Sequence, residues 1–197
     1  NNLHGWAMMQ PLPERNFRFL SENEVTDFDV NVPRVEDEKG YILEVDLEYL
    51  AELHQLHNDY PLAPERFVVN KEMISEYGKH LSEKLEMKFL KIEKLVPSFH
   101  DKKEYVLHIR NLQLYISSGM RCTKIHRILE FTQSRWLAPY IEKNTQLRAR
   151  ATSGFEKDFF KLLNNSVFGK TMENVRQRQD IRLVTDPVQG LKLASRP

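Results

Sequence analysis

The sequence predicts an α+β fold in which antiparallel strands come first and a helical hairpin follows. Three observations predict it. Residues 40–49, GYILEVDLEY, alternate Ile42, Glu44, Asp46 and Glu48 with Tyr41, Leu43, Val45, Leu47 and Tyr49, the two-residue period of a half-buried strand. Residues 136–178 hold two helix-forming stretches split by Thr152-Ser153-Gly154. The charge is also uneven: residues 14–59 carry 13 acidic and 4 basic side chains, a net −9, while residues 121–178 carry 12 basic and 5 acidic, a net +7. The basic part points to a polyanionic partner, or else to pairing with the acidic part of the same chain.

In chain order, Asn70 is placed to cap a helix over 71–86, with Met73, Tyr77, Leu81 and Leu85 at four-residue spacing despite Gly78. A second helix is expected over Asn111–Ser118, stopped at Gly119, and KIHRILEF after it reads as a strand. The hairpin helices are expected over Trp136–Arg150 and Phe155–Arg178. No repeat or low-complexity tract interrupts this order, and 197 residues suffice for a substantial core. The single cysteine, Cys122, excludes an internal disulfide framework and a cysteine-rich zinc site. No apolar run reaches the roughly 20 residues that cross a bilayer, and no leader pattern opens the chain, so no membrane partner is expected and the compartment is left open.

The second hairpin helix carries the most chemistry. At about 100° per residue, Phe155, Phe159, Phe160, Leu162, Leu163 and Val167 form a broad apolar side, expected to be core. Lys157, Lys161, Asn164, Asn165 and Phe168 project from the other. Lysines four apart with an asparagine are usually a solvated face. Phe168, an aromatic on that polar stripe, instead suits a ligand with both negative charge and a flat ring, such as a nucleoside triphosphate.

Lys161-Leu-Leu-Asn-Asn165-Ser166-Val-Phe168-Gly169 resembles the Lys-x3-Asn-Ser-x-Tyr-Gly motif on the fingers helix of family B DNA polymerases, with Phe168 where tyrosine is usual. Asn2-Leu3-His4-Gly5 resembles the tail of that family's palm motif Asp-x2-Ser-Leu-Tyr-Pro, with His4 in the tyrosine's place; NNLHGWAM is similar to the variant in polymerases of Maverick or Polinton mobile elements. The segments HNDYPLAPE, RWLAPYIEKNT and FEKDFFKLLNNSVFGKTMENVR extend the resemblance over nearly the whole chain, toward the protein-primed branch. It implies that Lys161 contacts the incoming triphosphate with Lys157 assisting, that Asn165, Phe168, Leu3 and His4 line the nucleotide pocket, and that Ser166, Gly169 and Lys170 meet DNA. Partners would be a DNA template-primer, deoxynucleoside triphosphates and a priming protein. The cofactor of the intact enzyme would be Mg2+, with its aspartates outside this chain: one two residues before Asn1, the other in an Asp-Thr-Asp-Ser-like turn beyond the fingers. The isolated segment is therefore expected to be inactive.

The same resemblance divides the chain into partial palm and insertion (1–110, the insertion being the place for a priming-protein contact), a connection (111–135), the fingers hairpin (136–178) and the start of the next palm segment (179–197). The alternative is a noncatalytic nucleic-acid-binding remnant of a decayed mobile element. Gly169-Lys170-Thr171 mimics the end of a phosphate-binding loop, but Asn164 stands where its first glycine belongs. His54 and His57 lack a placed third metal ligand, and Asp46, on the polar phase of its strand, reads as solvated or structural.

Overall fold

The computed structural model describes residues 3–87, 92–179 and 181–195, and Asn2 of the N-terminal motif lies outside them. The chain divides into two compact units, residues 11–136 and residues 1–10 with 137–197. The fold is α+β, with antiparallel strands throughout.

In the 11–136 unit, β1 (Leu12–Phe19), β6 (Arg121–Ser134), β2 (Lys39–Glu48) and β5 (Lys102–His108) make a four-stranded sheet in the order β1-β6-β2-β5. The predicted strands are the two central ones: 40–49 is β2, and KIHRILEF is the middle of the longer β6. Alternation sends Leu43, Val45 and Leu47 of β2 to one face, where they join Leu107, Ile128 and, from α5 (Ile109–Ser117), Ile109 and Leu112 in the core. On the other face Phe131 is buried beside Phe17, with ring centroids 5.9 Å apart. Both edge strands are interrupted by a left-handed residue, Asn16 in β1 (φ 57°) and Glu104 in β5 (φ 51°), each beside a register shift, which blunts the edges against pairing with a further strand.

The helix expected over Asn111–Ser118 is α5, begun by His108, whose Nδ1 accepts from the Arg110 N–H at 3.2 Å. It ends as predicted at Gly119, with φ +101°. The Gly119 N–H donates to Ile116 O (2.9 Å) and the Met120 N–H to Tyr115 O (3.0 Å), the paired bonds of a Schellman stop. A Cβ on Gly119 would lie 2.8 Å from Leu53 Cδ2, so backbone angle and packing both require glycine.

The helix expected over 71–86 is broken. Asn70 does cap, its side chain accepting from the Glu72 and Met73 N–H groups, but only a 3-10 turn over Lys71–Met73. Ile74 is extended, and Ser75 caps a new helix, α4 (Glu76–Lys84), by accepting from the Gly78 N–H at 3.1 Å. Two cap residues five positions apart each start their own element, and the second starts the longer helix. Met73, Tyr77, Leu81 and Leu85, whose spacing suggested a buried stripe, are exposed. The hairpin of β3 (Glu65–Val68) and β4 (Glu93–Val96) is tied to the main sheet by Lys102 of β5. Its fully buried Nζ donates to Glu65 Oε2 (2.9 Å) and Ser98 Oγ (2.8 Å).

Of the two readings of Asp46, solvated or structural, the structure shows the structural one. Asp46 is 8% exposed and accepts from the Glu104 N–H (2.9 Å), His126 Nε2 (2.9 Å) and Lys103 Nζ (3.2 Å), joining β2 to both neighbouring strands. These donors, the Glu104 amide foremost, hold its carboxyl below the usual range. His54 and His57 belong to an aromatic cluster: His54 stacks on Phe99 (centroids 4.6 Å), and His57 Nδ1 lies 2.7 Å from the Tyr49 hydroxyl.

Candidate functional site

In the unit made of residues 1–10 and 137–197, α1 (Leu3–Met8), α6 (Ala138–Arg150) and α7 (Gly154–Thr171) pack together, and α8 (Pro187–Ala194) follows. Pro139 opens α6, where its missing N–H costs nothing. Ser153 and Glu156 start α7 with a capping box. Ser153 Oγ accepts from the Glu156 N–H at 3.2 Å, and Glu156 Oε2 accepts from the Ser153 and Thr152 N–H groups, which pull its carboxyl below the usual value. The predicted hairpin and its Thr152-Ser153-Gly154 break are present, but α7 ends at Thr171 and not at Arg178. Asn174 then caps a separate 3-10 turn, Val175–Gln177, accepting from the Gln177 N–H.

The rotational phase of α7 differs from the expected one. Its buried residue is Asn164, whose Oδ1 accepts from Asn144 Nδ2 of α6 at 2.9 Å; that bond marks the side of α7 that faces α6. Phe160, Leu163, Val167 and Phe168, at −4, −1, +3 and +4 from Asn164, are half-buried on that side. Phe155, Phe159 and Leu162, expected in the core, are 80%, 45% and 62% exposed. The broad apolar side is thus two faces, and Asn164, expected to project outward, lies on the packed one.

The polar stripe itself is kept. Lys157, Lys161 and Asn165 are exposed, on the flank adjoining the packed face. Phe168 lies where that flank meets the packed face, and its ring stacks on His4 with centroids 4.1 Å apart and planes 18° from parallel. Residues from the two ends of the sequence thereby share one surface. Leu3 is exposed on α1; Ser166 Oγ donates back to Leu163 O; Gly169 has open space where a Cβ would stand; Lys170 pairs with Glu173. Gly169-Lys170-Thr171 is the last turn of a helix, the opposite end from a phosphate-binding loop.

The charge asymmetry resolves into two parts. Arg121, Arg127 and Arg135, counted in the basic segment, pair with Glu48, Glu44 and Glu36 of the acidic one, so the strand part is intramolecular pairing. In the hairpin, Lys143, Arg148, Arg150, Lys157 and Lys161 form no ion pair among the described residues. Sequence reasoning missed the Asn144–Asn164 bond and the His4–Phe168 stack; the first had a signal, an asparagine near the middle of each helix. Among the described residues no group of three His, Cys, Asp or Glu side chains converges to hold a metal ion.

No protein-family profile and no curated protein sequence matches the chain. Among solved structures it is similar to phi29 DNA polymerase complexed with primer-template DNA (post-translocation binary complex), with a TM-score of 0.47 and 17% identity over 88% of this chain and 25% of that one. The chain spans a quarter of the length of that structure, and a superposition this loose assigns neither fold nor function.

Proposed function

We propose that the chain is the fingers-bearing part of a protein-primed family B DNA polymerase, in which the α1–α7 surface forms a wall of the pocket for the incoming deoxynucleoside triphosphate. The observation that carries this reading is the stack of His4 on Phe168. Two motifs recognised independently, at opposite ends of the sequence, meet ring to ring beside a stripe of unpaired lysines. A pocket for a nucleotide needs that combination: flat apolar surface for base and sugar, and mobile point charges for phosphate oxygens. In this assignment Lys161 and, one turn earlier, Lys157 neutralise triphosphate charge, while Phe168 and His4 pack on the nucleoside with Leu3 and Asn165 beside them. Ser166, Gly169 and Lys170, further along α7, adjoin the DNA. The metal chemistry of such an enzyme belongs to residues outside this site. The priming-protein contact and the mobile-element origin belong to the same proposal and rest on the sequence resemblance alone.

The test is single-nucleotide insertion by a full-length polymerase carrying this segment. Lys161→Ala leaves packing untouched and should move stability by no more than about 0.5 kcal/mol. A charge-assisted phosphate contact contributes on the order of 1.5–3 kcal/mol, so apparent nucleotide affinity should fall roughly ten- to a hundredfold. Lys157→Ala should show a milder loss. Wild-type kinetics for Lys161→Ala, or loss only through unfolding, contradicts the assignment.

A further inference from the structure

Helix α7 has two apolar faces and packs with the one that also holds a buried amide. Phe160, Leu163 and Val167 flank a buried amide against α6, while Phe155, Phe159 and Leu162 stay in solvent, the two phenylalanine rings nearly parallel with centroids 6.2 Å apart. At 100° per residue the centres of these faces lie roughly 140° apart around the helix. Apolar burial alone does not separate the two phases: the packed face carries Phe160, Leu163, Val167 and Phe168, the solvent face Phe155, Phe159 and Leu162. The difference between the two phases is the fate of Asn144. In the observed phase its Nδ2 donates to Asn164; turned by that angle, α7 would set Phe159 and its neighbours against Asn144, leaving a buried amide without a partner.

We propose that the Asn144–Asn164 pair is a phase selector. It holds α7 in the rotation that brings Phe168 onto His4 and turns Lys157 and Lys161 to the same surface, which makes both asparagines positioning residues. A buried amide pair fixing helix register at a cost in stability has precedent as a physical device. The nucleotide half of this inference rests on the proposed function; the phase half does not.

The single and double substitutions separate these. In Asn144→Leu the observed phase strands Asn164 against a leucine, whereas the rotated phase packs Leu against Phe159 and returns Asn164 to water. That variant should stay cooperatively folded and lose the upfield ring-current shift that Phe168 imposes on the His4 ring protons by NMR. In Asn164→Leu, Asn144 is stranded in both phases, so the chain should melt at lower temperature. In the double leucine variant the observed phase is again the compatible one: the His4 shift returns and the melt is no lower than wild type. Retention of the shift in Asn144→Leu, unfolding of that variant, or failure of the double variant to restore the shift overturns the phase selector. In the full-length polymerase, Asn144→Leu should raise the apparent KM for nucleotide roughly tenfold, with recovery in the double variant. If the NMR pattern holds and the kinetics do not follow it, the phase selector stands and the nucleotide reading of the stripe falls.

Discussion

Across β2 and β6, Gly40 faces the ring of Phe131 so closely that a Cβ would lie 2.3 Å from its Cε2 and 2.5 Å from Gln133 Oε1. The ring is fully buried and cannot swing away, so Gly40→Ala should lower the stability of the chain by about 1–3 kcal/mol, the usual cost of overpacking. Urea denaturation measures it, and an unchanged midpoint contradicts it. Gly169 is the opposite case. Nothing lies within 4 Å of its missing Cβ, and it sits inside α7, where glycine costs about 0.5–1 kcal/mol against alanine. Gly169→Ala should therefore stabilise the chain in the same assay. The α5 stop at Gly119 was legible in the sequence, because a helix end is a local event. The need for Gly40 was not, because it depends on which residue of another strand comes opposite.

At the scale of elements, the sheet is held by a carboxylate as well as by its apolar face. Asp46 gathers donors from β5 and β6, and its folded pKa is depressed. A depressed acid contributes stability that is present above its unfolded pKa, near 3.9, and is lost as pH falls toward the folded value. The stability gap between the wild-type chain and Asp46→Asn should therefore be full at pH 7 and shrink as pH falls below about 4. Urea melts of both chains at several pH values read this directly; a gap independent of pH would assign the stabilisation to geometry and not to charge. The two-residue period disclosed β2 but left Asp46 between a solvated and a structural role, since alternation tells that a residue points away from the core and not whether the other face is covered. Helix α7 shows a similar limit. Its six apolar residues were legible, but two faces satisfied the same periodicity, and the packed one is the one whose amide bonds to a different helix. The broken helix at 71–86 had its second cap, Ser75, in plain view, and the four-residue spacing of exposed side chains outweighed it wrongly.

For the whole molecule, the two units carry opposite charge: residues 11–136 sum to −4, and residues 1–10 with 137–197 to +5. On the proposed function the second unit meets nucleic acid, so the chain should bind duplex DNA weakly, without sequence preference and with strong salt dependence. Each phosphate neutralised contributes about −0.9 to the log–log salt slope, so the hairpin's unpaired Lys143, Arg148, Arg150, Lys157 and Lys161 set a ceiling near roughly −4.5. Fluorescence anisotropy titrations across salt concentrations test this; a flat salt dependence, or no binding at low salt, counts against it. By itself the sequence determined the α+β class, the two central strands, the hairpin with its capped break, and the polar stripe of Lys157, Lys161 and Asn165. Each follows from periodicity, turn chemistry or helical geometry acting within about twenty residues. Tertiary structure alone decided which face of α7 is packed, that Arg121, Arg127 and Arg135 are neutralised within their own unit while Lys143, Arg148, Arg150, Lys157 and Lys161 form no ion pair among the described residues, and that His4 lies on Phe168. Those outcomes depend on partners distant in the chain, and a residue's local pattern carries no information about what a fold will set against it.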